Sequence, residues 1–283
     1  MLNSIQKIKN FTIVNAFTEH KLQGNQVAVF HDSLPCIDEE LQSIAKVMQF
    51  SECTFFQSPG TSKNVPIKIF TPVNELSCAG HPLIGSAASF YDQYKISQFT
   101  FVTKQQKVQA QVTQKKGNHY YIELEYQLPE RRAFHLEDVL KDSLRLDHIE
   151  MPIEAYNAGA NHILVAVSDK ETLHKIKPNY SLLEQFSDTA INCFYWDGQT
   201  VENRMFSPAY GVIEDAGTGS AVCPILMHLI RHKNIDPTQK IRVLQGVLLE
   251  RESVMYGQLD KDENTFILSG NAYLFAHGKV SED

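Results

Sequence analysis

The alternation of apolar and polar residues in the first half of the chain predicts a strand-rich domain with two helices. Apolar and polar residues alternate well enough in 11–17 and 65–70 to predict strands, whereas 26–30 is apolar after its first residue, as expected of a strand buried on both faces. Acidic residues followed by apolar ones at helical spacing predict a helix at 37–49. The predicted strands are 11–17, 26–30, 51–56, 65–70, 99–102, 108–112 and 120–126, the predicted helices are 37–49 and 82–94, and the predicted turns are 24–25 and 32–35.

The second half repeats this order of elements after a polar, proline-containing segment at 128–132. We place a domain boundary there, which gives an N-terminal domain of residues 1–128 and a C-terminal domain of residues 129–283. The last strand is expected to pack back on the first domain. A helix at 135–144 has no counterpart in the first half. The other predicted helices are 180–186 and 221–232, and the predicted strands are 154–159, 162–167, 190–196, 204–206, 241–244, 252–259, 265–268 and 272–275.

Two loops of similar sequence precede the two helices that are rich in small residues. They are Phe70-Thr-Pro-Val-Asn-Glu-Leu-Ser-Cys-Ala-Gly-His-Pro82 and Phe206-Ser-Pro-Ala-Tyr-Gly-Val-Ile-Glu-Asp-Ala-Gly-Thr-Gly-Ser-Ala221. A glycine loop that leads into a helix presents backbone N–H groups and the positive end of the helix dipole to an anion. The repeat therefore predicts a duplicated fold with one anion-binding site between its halves. Pro224 has to lie in the first turn of the second helix or distort it.

Charge and composition narrow the classes of partner. The chain has 283 residues and a net charge of −7, which argues against a nucleic acid or an anionic membrane as partner. No run reaches the roughly 18 apolar residues of a membrane helix. The start of the chain has no apolar core of signal-peptide length, so we expect a cytoplasmic protein.

The cysteines predict free thiols rather than disulfides or a metal site. There are five of them, no two form a CxxC pair, and the acidic and histidine residues around them lack metal-ligand spacing. Cys78 and Cys223 lie near the two loops, but Cys223 falls inside the predicted helix, where we expect it to pack. Catalysis by a thiol pair is therefore disfavoured.

Glu52 is the first candidate for chemistry, because it is the charged residue of an otherwise uncharged strand. Burial among Cys53, Thr54 and Phe55 would raise the pKa of its carboxyl group towards the range useful for proton transfer near neutral pH. The alternative is a glutamate on the outward face of the strand, pointing into solvent.

Three more candidates lie at the ends of the two loops. His81 precedes a predicted helix, whose dipole would favour a neutral imidazole that donates or accepts a hydrogen bond. Asp215 and Ser220 flank the second glycine loop. Simple capping of the helices is the alternative for all three residues. Together they suggest a Ser-His-Asp hydrolase, but Ser220 does not sit in a GxSxG elbow, and Gly217-Thr-Gly219 is neither a dinucleotide-binding nor a Walker loop.

Several motifs along the whole chain resemble those of the PhzF-like family, within the diaminopimelate epimerase superfamily. They are Gly24-Asn-Gln-Val-Ala-Val-Phe30, Ser51-Glu-Cys-Thr-Phe-Phe56, the loop 70–82, Arg204-Met-Phe-Ser-Pro208, Glu214-Asp-Ala-Gly-Thr-Gly-Ser-Ala221, Gln245-Gly246 and Gly270-Asn-Ala272. The resemblance implies an α+β fold of two pseudo-symmetric domains, each with a barrel-like mixed sheet around a central helix. It also implies an active site in the cleft between them, and homodimers are common in the family.

The resemblance also implies roles for individual residues. Glu52 is the expected acid/base, and His81, Asp215 and Ser220 are its catalytic companions. The expected substrate-binding residues are Asn25, Gly80, Gly217, Thr218 and Gly219, with no metal and no cofactor.

The chain departs from the family pattern in three ways. Cysteine-dependent epimerases of the superfamily have cysteine where this chain has Ala79 and Ala216, which excludes a two-thiol racemase mechanism. Ala216-Gly217 replaces a more common Pro-Ala, and Gln26 replaces a common proline, so the loop and turn at these positions are expected to differ in shape.

The sequence thus predicts an isomerase of a biosynthetic, phenazine biosynthesis-like type that works without a cofactor. It would move a proton between carbons of a small carboxylate-bearing metabolite, with Glu52 as acid and base. Two alternatives remain open. One is a ligand-binding or orphan protein of the same fold that performs no turnover, and the other is a hydrolase that uses Ser220.

Overall fold

Strands dominate the structure, a computed structural model that describes residues 10–31, 36–58, 62–208, 211–262 and 264–280. The turn predicted at 32–35 and two residues of the second glycine loop, 209 and 210, lie outside these ranges. The elements of the first half are β1 (Asn10–Ala16), β2 (Asn25–Phe30), α1 (Asp38–Met48), β3 (Glu52–Phe56), β4 (Asn64–Phe70), β5 (Glu75–Leu76), α2 (Gly80–Tyr94), β6 (Gln98–Val102), β7 (Lys107–Lys116) and β8 (His119–Gln127).

The second half has the same kinds of element in the same order, with a few additions at its start. They are β9 (Glu130–Arg132), α3 (Glu137–Leu144), β10 (Glu154–Asn157), β11 (Asn161–Ala166), α4 (Lys170–Lys175), α5 (Tyr180–Leu183), β12 (Thr189–Trp196), β13 (Thr200–Ser207), β14 (Val212–Asp215), α6 (Gly219–Lys233), β15 (Ile241–Gln245), β16 (Ser253–Leu259) and β17 (Thr265–Lys279).

Strand pairing repeats between the halves, which confirms the duplication predicted from the two loops. In the first half, β1 pairs antiparallel with β2, β2 parallel with β3, and β3 antiparallel with β4. β4 then pairs antiparallel with β5 and parallel with β6, and antiparallel pairs lead on to β7 and β8. The same sequence of directions recurs from β10 to β17.

The long strand β17 joins the two halves. It pairs with β16 of the second half and with β8 and β1 of the first, so the first sheet closes on itself as β1-β2-β3-β4-β6-β7-β8-β17. α2 contacts strands all around this ring, and every residue from Gly80 to Phe90 is buried. The expected α+β fold, with a mixed sheet wrapped around a central helix in each half, is therefore confirmed. The boundary between residues 128 and 129 stays a prediction.

Most predicted elements are present within one or two residues, but several details of the prediction are wrong. The strands 265–268 and 272–275 form one continuous strand, β17, because Gly270 and Asn271 pair with β8 without a turn. The short strands β5, β9 and β14 and the short helix α4 were missed. β14 matters most, because it lies in the stretch that we expected to be only a loop and carries Asp215 at its end.

The two central helices begin earlier than the sequence suggested. α2 begins at Gly80 instead of Pro82, and α6 at Gly219 instead of Ala221. His81 and Ser220 therefore lie in the first turns rather than at the caps, and neither N-cap residue, Ala79 or Thr218, makes a side-chain capping bond. Capping is thus wrong as the role of His81, Asp215 or Ser220, and N–H groups of both first turns remain available.

α6 continues through Pro224, which lies beyond the first turn. Proline has no N–H, so the carbonyl of Ser220 loses its usual partner four residues on. The prediction that Pro224 lies in the first turn is therefore wrong, and the proline sits inside the helix.

A single apolar core extends from the interior of the first barrel around α2 to α6 in the second half. As predicted, the five cysteines are thiols outside disulfides, and the structure buries all five. Among the described residues, no helix combines the length and the apolar character needed to cross a bilayer.

Candidate active site

The first turns of α2 and α6 meet backbone to backbone. A Cβ atom added to Gly80 would lie 2.8 Å from the Cα atom of Gly219, and one added to Gly219 would lie 3.1 Å from the Cα atom of Gly80. A real Cβ atom essentially never lies within 3.0 Å of another non-hydrogen atom. A side chain at Gly80 would therefore push the two backbones apart, and glycine is needed for this contact. The two helix N-termini predicted from the sequence therefore converge on one place, where their N–H groups and dipoles favour an anion.

A cavity of about 570 Å³, part of it open to solvent, lies against this junction. The four residues predicted as catalytic all line it: Glu52, His81, Asp215 and Ser220. Gly80, Thr218 and Gly219 of the predicted substrate-binding set line it as well. Asn25 and Gly217 do not belong to the lining, and lie behind it. The structure thus brings together residues from three distant parts of the chain.

Glu52 begins β3, and its side chain is only 15% exposed. Burial raises the pKa of its carboxyl group to about 8, and the negative charge of nearby Asp215 adds to the effect, while a hydrogen bond with Ser51 opposes it. The outward-facing glutamate that strand alternation allowed is therefore wrong. Near neutral pH, both the protonated and the ionised form of this group are populated, as a group that both takes and returns a proton requires.

His81 faces Glu52 from the first turn of α2, with its Nε2 atom 3.1 Å from the Oε2 atom of Glu52. Neither atom has a hydrogen-bond partner among the described residues. Burial lowers the pKa of His81 to about 4, against an opposing effect of Asp215, so the ring is neutral at pH 7. Two buried polar atoms thus border the cavity with capacity for a ligand.

Asp215 is tied to both halves by hydrogen bonds. Its Oδ1 atom accepts from the Asn25 amide at 2.8 Å, and its Oδ2 atom accepts from the Thr218 hydroxyl at 2.6 Å. The same Asn25 nitrogen lies 3.1 Å from the carbonyl oxygen of Gly217 and 3.3 Å from Nδ1 of His81. Asn25 therefore orients His81 and Asp215 from behind the cavity.

Sequence reasoning missed His162, which also lines the cavity. It lies on β11, is fully buried, and its Nε2 atom is 3.1 Å from the hydroxyl oxygen of Ser220. Burial lowers the pKa of His162 to about 4. The available signal was a lone histidine in a buried strand, which is most often part of the core. Only the fold places it beside Ser220.

The thiol nearest to the site is not in a reactive state. Cys78 is buried, and burial raises the pKa of its thiol to about 12, so it stays protonated at neutral pH. It borders both the main cavity and a second one of about 500 Å³ on the other side of the Gly80–Gly219 contact. Ala79 and Ala216 occupy the positions where a two-thiol epimerase needs cysteine, and both are buried.

The cavity is lined by the acidic side chains of Glu52 and Asp215, and the groups there that could attract an anion are neutral. Neither lysine nor arginine is among the described residues that line it. An anionic group of a substrate would be held there by N–H groups of the two first turns, by hydroxyl groups and by the helix dipoles.

A cluster of possible metal ligands lies elsewhere, on β10 and further along α6. Its members are Glu154, His228 and His232, whose ligand atoms lie within 4.8 Å of one another. One carboxylate oxygen of Glu154 accepts from Arg131 at 2.9 Å and lies 3.3 Å from Arg231. The negative charge is thus already neutralised by guanidinium groups, and this cluster forms no part of the cavity at the helix N-termini.

Comparison with known proteins places this fold and site in a family. The model of the phenazine biosynthesis-like protein family, PhzC-PhzF, matches residues 14–278. Trans-2,3-dihydro-3-hydroxyanthranilate isomerase of Pseudomonas fluorescens is 35% identical over 274 residues, which cover 96% of this chain and 99% of that protein. The enzyme of the same name from Pseudomonas aeruginosa is 36% identical, covering 95% of this chain and 98% of its own length.

Solved structures agree on the fold. A predicted epimerase from Pseudomonas aeruginosa superimposes with a TM-score of 0.86 at 24% identity, over 97% of this chain and all of its own. A hydroxyproline epimerase from Agrobacterium vitis does so with a TM-score of 0.66 at 12% identity, over 97% and 93% of the two chains. The architecture is the diaminopimelate epimerase-like fold predicted from the sequence. With relatives of this similarity named isomerases, the chain is an enzyme of the isomerase class. It belongs to the PhzC-PhzF family of phenazine biosynthesis-like proteins.

Proposed function

We propose that this isomerase moves a proton between two carbons of a small carboxylate-bearing metabolite, with Glu52 as both acid and base. The observation that carries the proposal is the Glu52 carboxyl group itself. It is buried at the edge of a cavity that two helix N-termini share, with a pKa raised to about 8. A group of this pKa changes its protonation state easily near neutral pH, which suits repeated proton transfer.

The proposed reaction needs one base. The Glu52 carboxylate takes a proton from one carbon and becomes a carboxylic acid, while the electron pair of the broken C–H bond spreads into the substrate as an enolate. The acid then returns the proton to another carbon on the same face, which restores the carboxylate. Since a single carboxyl group performs both proton transfers, the reaction requires neither a pair of thiols nor a cofactor.

The other residues hold the substrate and the charge that develops on it. N–H groups at the starts of α2 and α6 would bind the carboxylate or the enolate oxygen, where preorganised dipoles stabilise negative charge. Neutral His81 offers a hydrogen-bonding nitrogen beside Glu52, and burial together with the charge of Asp215 keeps the pKa of Glu52 high. Asp215 and Thr218 carry further polar atoms at the cavity wall.

The names of the relatives indicate which compound to test first. Those from three Pseudomonas species are trans-2,3-dihydro-3-hydroxyanthranilate isomerases, so we propose a compact cyclic carboxylate of that kind as the substrate class. We also propose that the protein is cytoplasmic and forms a homodimer.

The test is turnover of trans-2,3-dihydro-3-hydroxyanthranilate in heavy water, followed by mass spectrometry and NMR. The proposal expects conversion with a proton or deuteron placed on a new carbon, and loss of that activity in Glu52→Gln. Full activity of Glu52→Gln would exclude Glu52 as the base. A tight complex with such carboxylates that shows neither conversion nor exchange with solvent would favour the alternative of a binding protein.

A further inference from the structure

We propose that His162 is a positioning residue, which fixes the Ser220 hydroxyl group as a hydrogen-bond donor to an anionic oxygen in the cavity. The inference rests on the proposed function only for the identity of that oxygen. It is carried by a chain of buried side-chain amides that links the glycine loop to His162. In such a chain, each amide has a donor end and an acceptor end, so fixing one member fixes the next.

Gln245 is the anchor, because backbone groups decide which way its amide points. Its Nε2 atom is 2.9 Å from the carbonyl oxygen of Asp215, which can only accept, and its Oε1 atom is 3.1 Å from the backbone N–H of Thr218, which can only donate. Exchanging the two ends of the amide would place donor against donor and acceptor against acceptor. The orientation of Gln245 is therefore determined.

Two asparagines continue the chain of hydrogen bonds, and the fixed amide of Gln245 determines which way each of their amides points. The Nδ2 atom of Asn203 donates to the fixed Oε1 atom of Gln245 at 2.9 Å and to the Oδ1 atom of Asn192 at 3.2 Å. The Nδ2 atom of Asn192 in turn donates to the backbone carbonyl of Ala190 at 3.2 Å. A second backbone group thus confirms the orientation that Gln245 imposes.

The last amide of the chain, that of Asn192, donates a hydrogen bond to His162. The Nδ2 atom of Asn192 lies 3.1 Å from the Nδ1 atom of His162, so Nδ1 must be the acceptor and carries no proton. The neutral ring then carries its proton on Nε2, the atom 3.1 Å from the hydroxyl oxygen of Ser220. Because burial keeps this ring neutral, there is one tautomer that satisfies both neighbours.

The tautomer of His162 determines how the Ser220 hydroxyl group can bond. Its oxygen accepts from Nε2–H of His162, so its own proton is free to point elsewhere, and no acceptor for it lies within hydrogen-bond distance among the described residues. Ser220 lines the cavity at the N-terminus of α6, where an anionic oxygen is favoured. The polarity is also the reverse of that in a serine hydrolase, whose histidine must accept the serine proton.

The first experiment measures the tautomer directly on the full-length wild-type protein. A long-range ¹H–¹⁵N spectrum of histidine-labelled protein, with the His162 signals identified by their loss in His162→Gln, distinguishes a protonated Nε2 from a protonated Nδ1. We expect protonation on Nε2. Protonation on Nδ1 overturns the proposal, whether or not the protein turns over any substrate.

The second experiment uses 3-hydroxyanthranilate, an aromatic carboxylate that has no proton on a saturated ring carbon for the enzyme to move, and measures its affinity by calorimetry. Glutamine places an N–H close to the Nε2 position of histidine, whereas asparagine does not reach it, so the two variants are a matched pair. We expect His162→Gln to bind like wild type, and His162→Asn and Ser220→Ala to bind about tenfold more weakly, the effect of one hydrogen bond.

The double variant His162→Asn/Ser220→Ala separates positioning from general damage to the fold. If His162 acts through Ser220, the double variant binds no more weakly than Ser220→Ala alone. Additive losses, equal losses in His162→Gln and His162→Asn, or absence of binding to wild type would each overturn the assignment of the hydroxyl to this anion. A thermal unfolding curve of each variant shows that it is folded. Failure of Glu52→Gln to lose activity would refute the proposed function and leave these results unaffected.

Discussion

The Nε2 atom of His81 lies 3.1 Å from the Oε2 atom of Glu52, and neither atom has a hydrogen-bond partner among the described residues. Both atoms are buried, and an unpaired buried polar atom costs free energy. A neutral ring beside a carboxyl group of raised pKa avoids an ion pair and leaves both groups able to bind a substrate. The arrangement is less stable than a paired one, as expected where binding completes it.

Replacement of Glu52 by glutamine should lower kcat by about 10²-fold or more, the usual contribution of a positioned acid or base. The amide has nearly the same shape as the carboxylic acid but cannot take a proton. Steady-state kinetics on trans-2,3-dihydro-3-hydroxyanthranilate measure the loss. The control is Glu39→Gln on the exposed face of α1, which should change kcat little. A loss of similar size in both variants would speak against a specific role.

The same substitution should make the protein more stable at high pH. The carboxyl pKa is about 8 in the folded protein against 4.5 in the unfolded chain, so the folded state binds more protons between these values. The free energy of unfolding contributed by Glu52 therefore falls as pH rises from about 4.5 to about 8. Glutamine does not titrate, so Glu52→Gln should gain on the order of 3 kcal/mol over wild type between pH 5 and pH 9.

Denaturant titrations of both proteins across this range measure that difference. Comparing the two proteins cancels the contributions of His162 and His228, whose pKa values are lowered to about 4 and which favour folding more as pH rises from 4 to 6.5. A difference that stays constant with pH would show that the pKa of Glu52 is close to its ordinary value.

The contact between Gly80 and Gly219 leads to a prediction about the cleft. In Gly80→Ala, the new Cβ atom would lie 2.8 Å from the backbone of Gly219, which cannot move aside as a flexible side chain does. The two helix N-termini must separate, which should cost about 1–3 kcal/mol of stability. Affinity for 3-hydroxyanthranilate should fall because the N–H groups no longer converge.

A matched control for this prediction is Gly117→Asn in the turn between β7 and β8. No atom lies within 4 Å of a Cβ there, and asparagine tolerates its positive φ of 58°. We expect unchanged affinity in this variant. If Gly80→Ala binds as well as Gly117→Asn, the close approach of the helices is not needed for the site.

The elements of the fold that follow from local pattern were predictable, and those that depend on distant pairing were not. α1 was found almost to the residue, because its acidic start and apolar face are local features. β14 is short, and its Cα partners Met205 and Ser207 are on β13, so nothing in its own four residues marks it as a strand. β17 reads as two strands, because Gly270 and Asn271 are turn residues in most contexts.

The residues of the candidate site also divide into those that the sequence could predict and those that it could not. Glu52, His81, Asp215 and Ser220 stand out because of unusual residue types in glycine loops or apolar strands, and the structure brings all four to one cavity. His162 and Asn192 could not be assigned, because their role depends on a hydrogen-bond chain through three strands, β11, β12 and β13. The early starts of α2 and α6 escaped prediction since glycine is a poor helix former.

Removal of the buried charge of Arg204 should destabilise the second half. Arg204 on β13 donates to both carboxylate oxygens of Glu214, at 2.9 and 2.8 Å, and also to the carbonyl oxygens of Leu173 and Ile176. In Arg204→Met, the carboxylate of Glu214 is left without its partner, and the free energy of unfolding should fall by about 3 kcal/mol. Since Glu214 precedes Asp215, binding of 3-hydroxyanthranilate should weaken too.

Two variants check this interpretation of Arg204. The pair Lys175–Glu171 is largely exposed, so Lys175→Met should leave the free energy of unfolding nearly unchanged. Adding Glu214→Gln to Arg204→Met removes the unpaired charge and should recover part of the loss. A double variant that is no more stable than Arg204→Met would show that packing, rather than charge, is responsible.

Ser220 should fail to react as a nucleophile, although it lies beside a histidine. A fluorophosphonate labels a serine whose proton is removed by a basic nitrogen 3 Å away. The Nε2 atom of His162 lies 3.1 Å from the Ser220 oxygen, but with its proton on that nitrogen it is a donor and cannot act as the base. Mass spectrometry after incubation with a fluorophosphonate should find Ser220 unmodified, with a known serine hydrolase as the positive control. Labelling of Ser220 that disappears in His162→Gln would instead support the hydrolase alternative and contradict the tautomer.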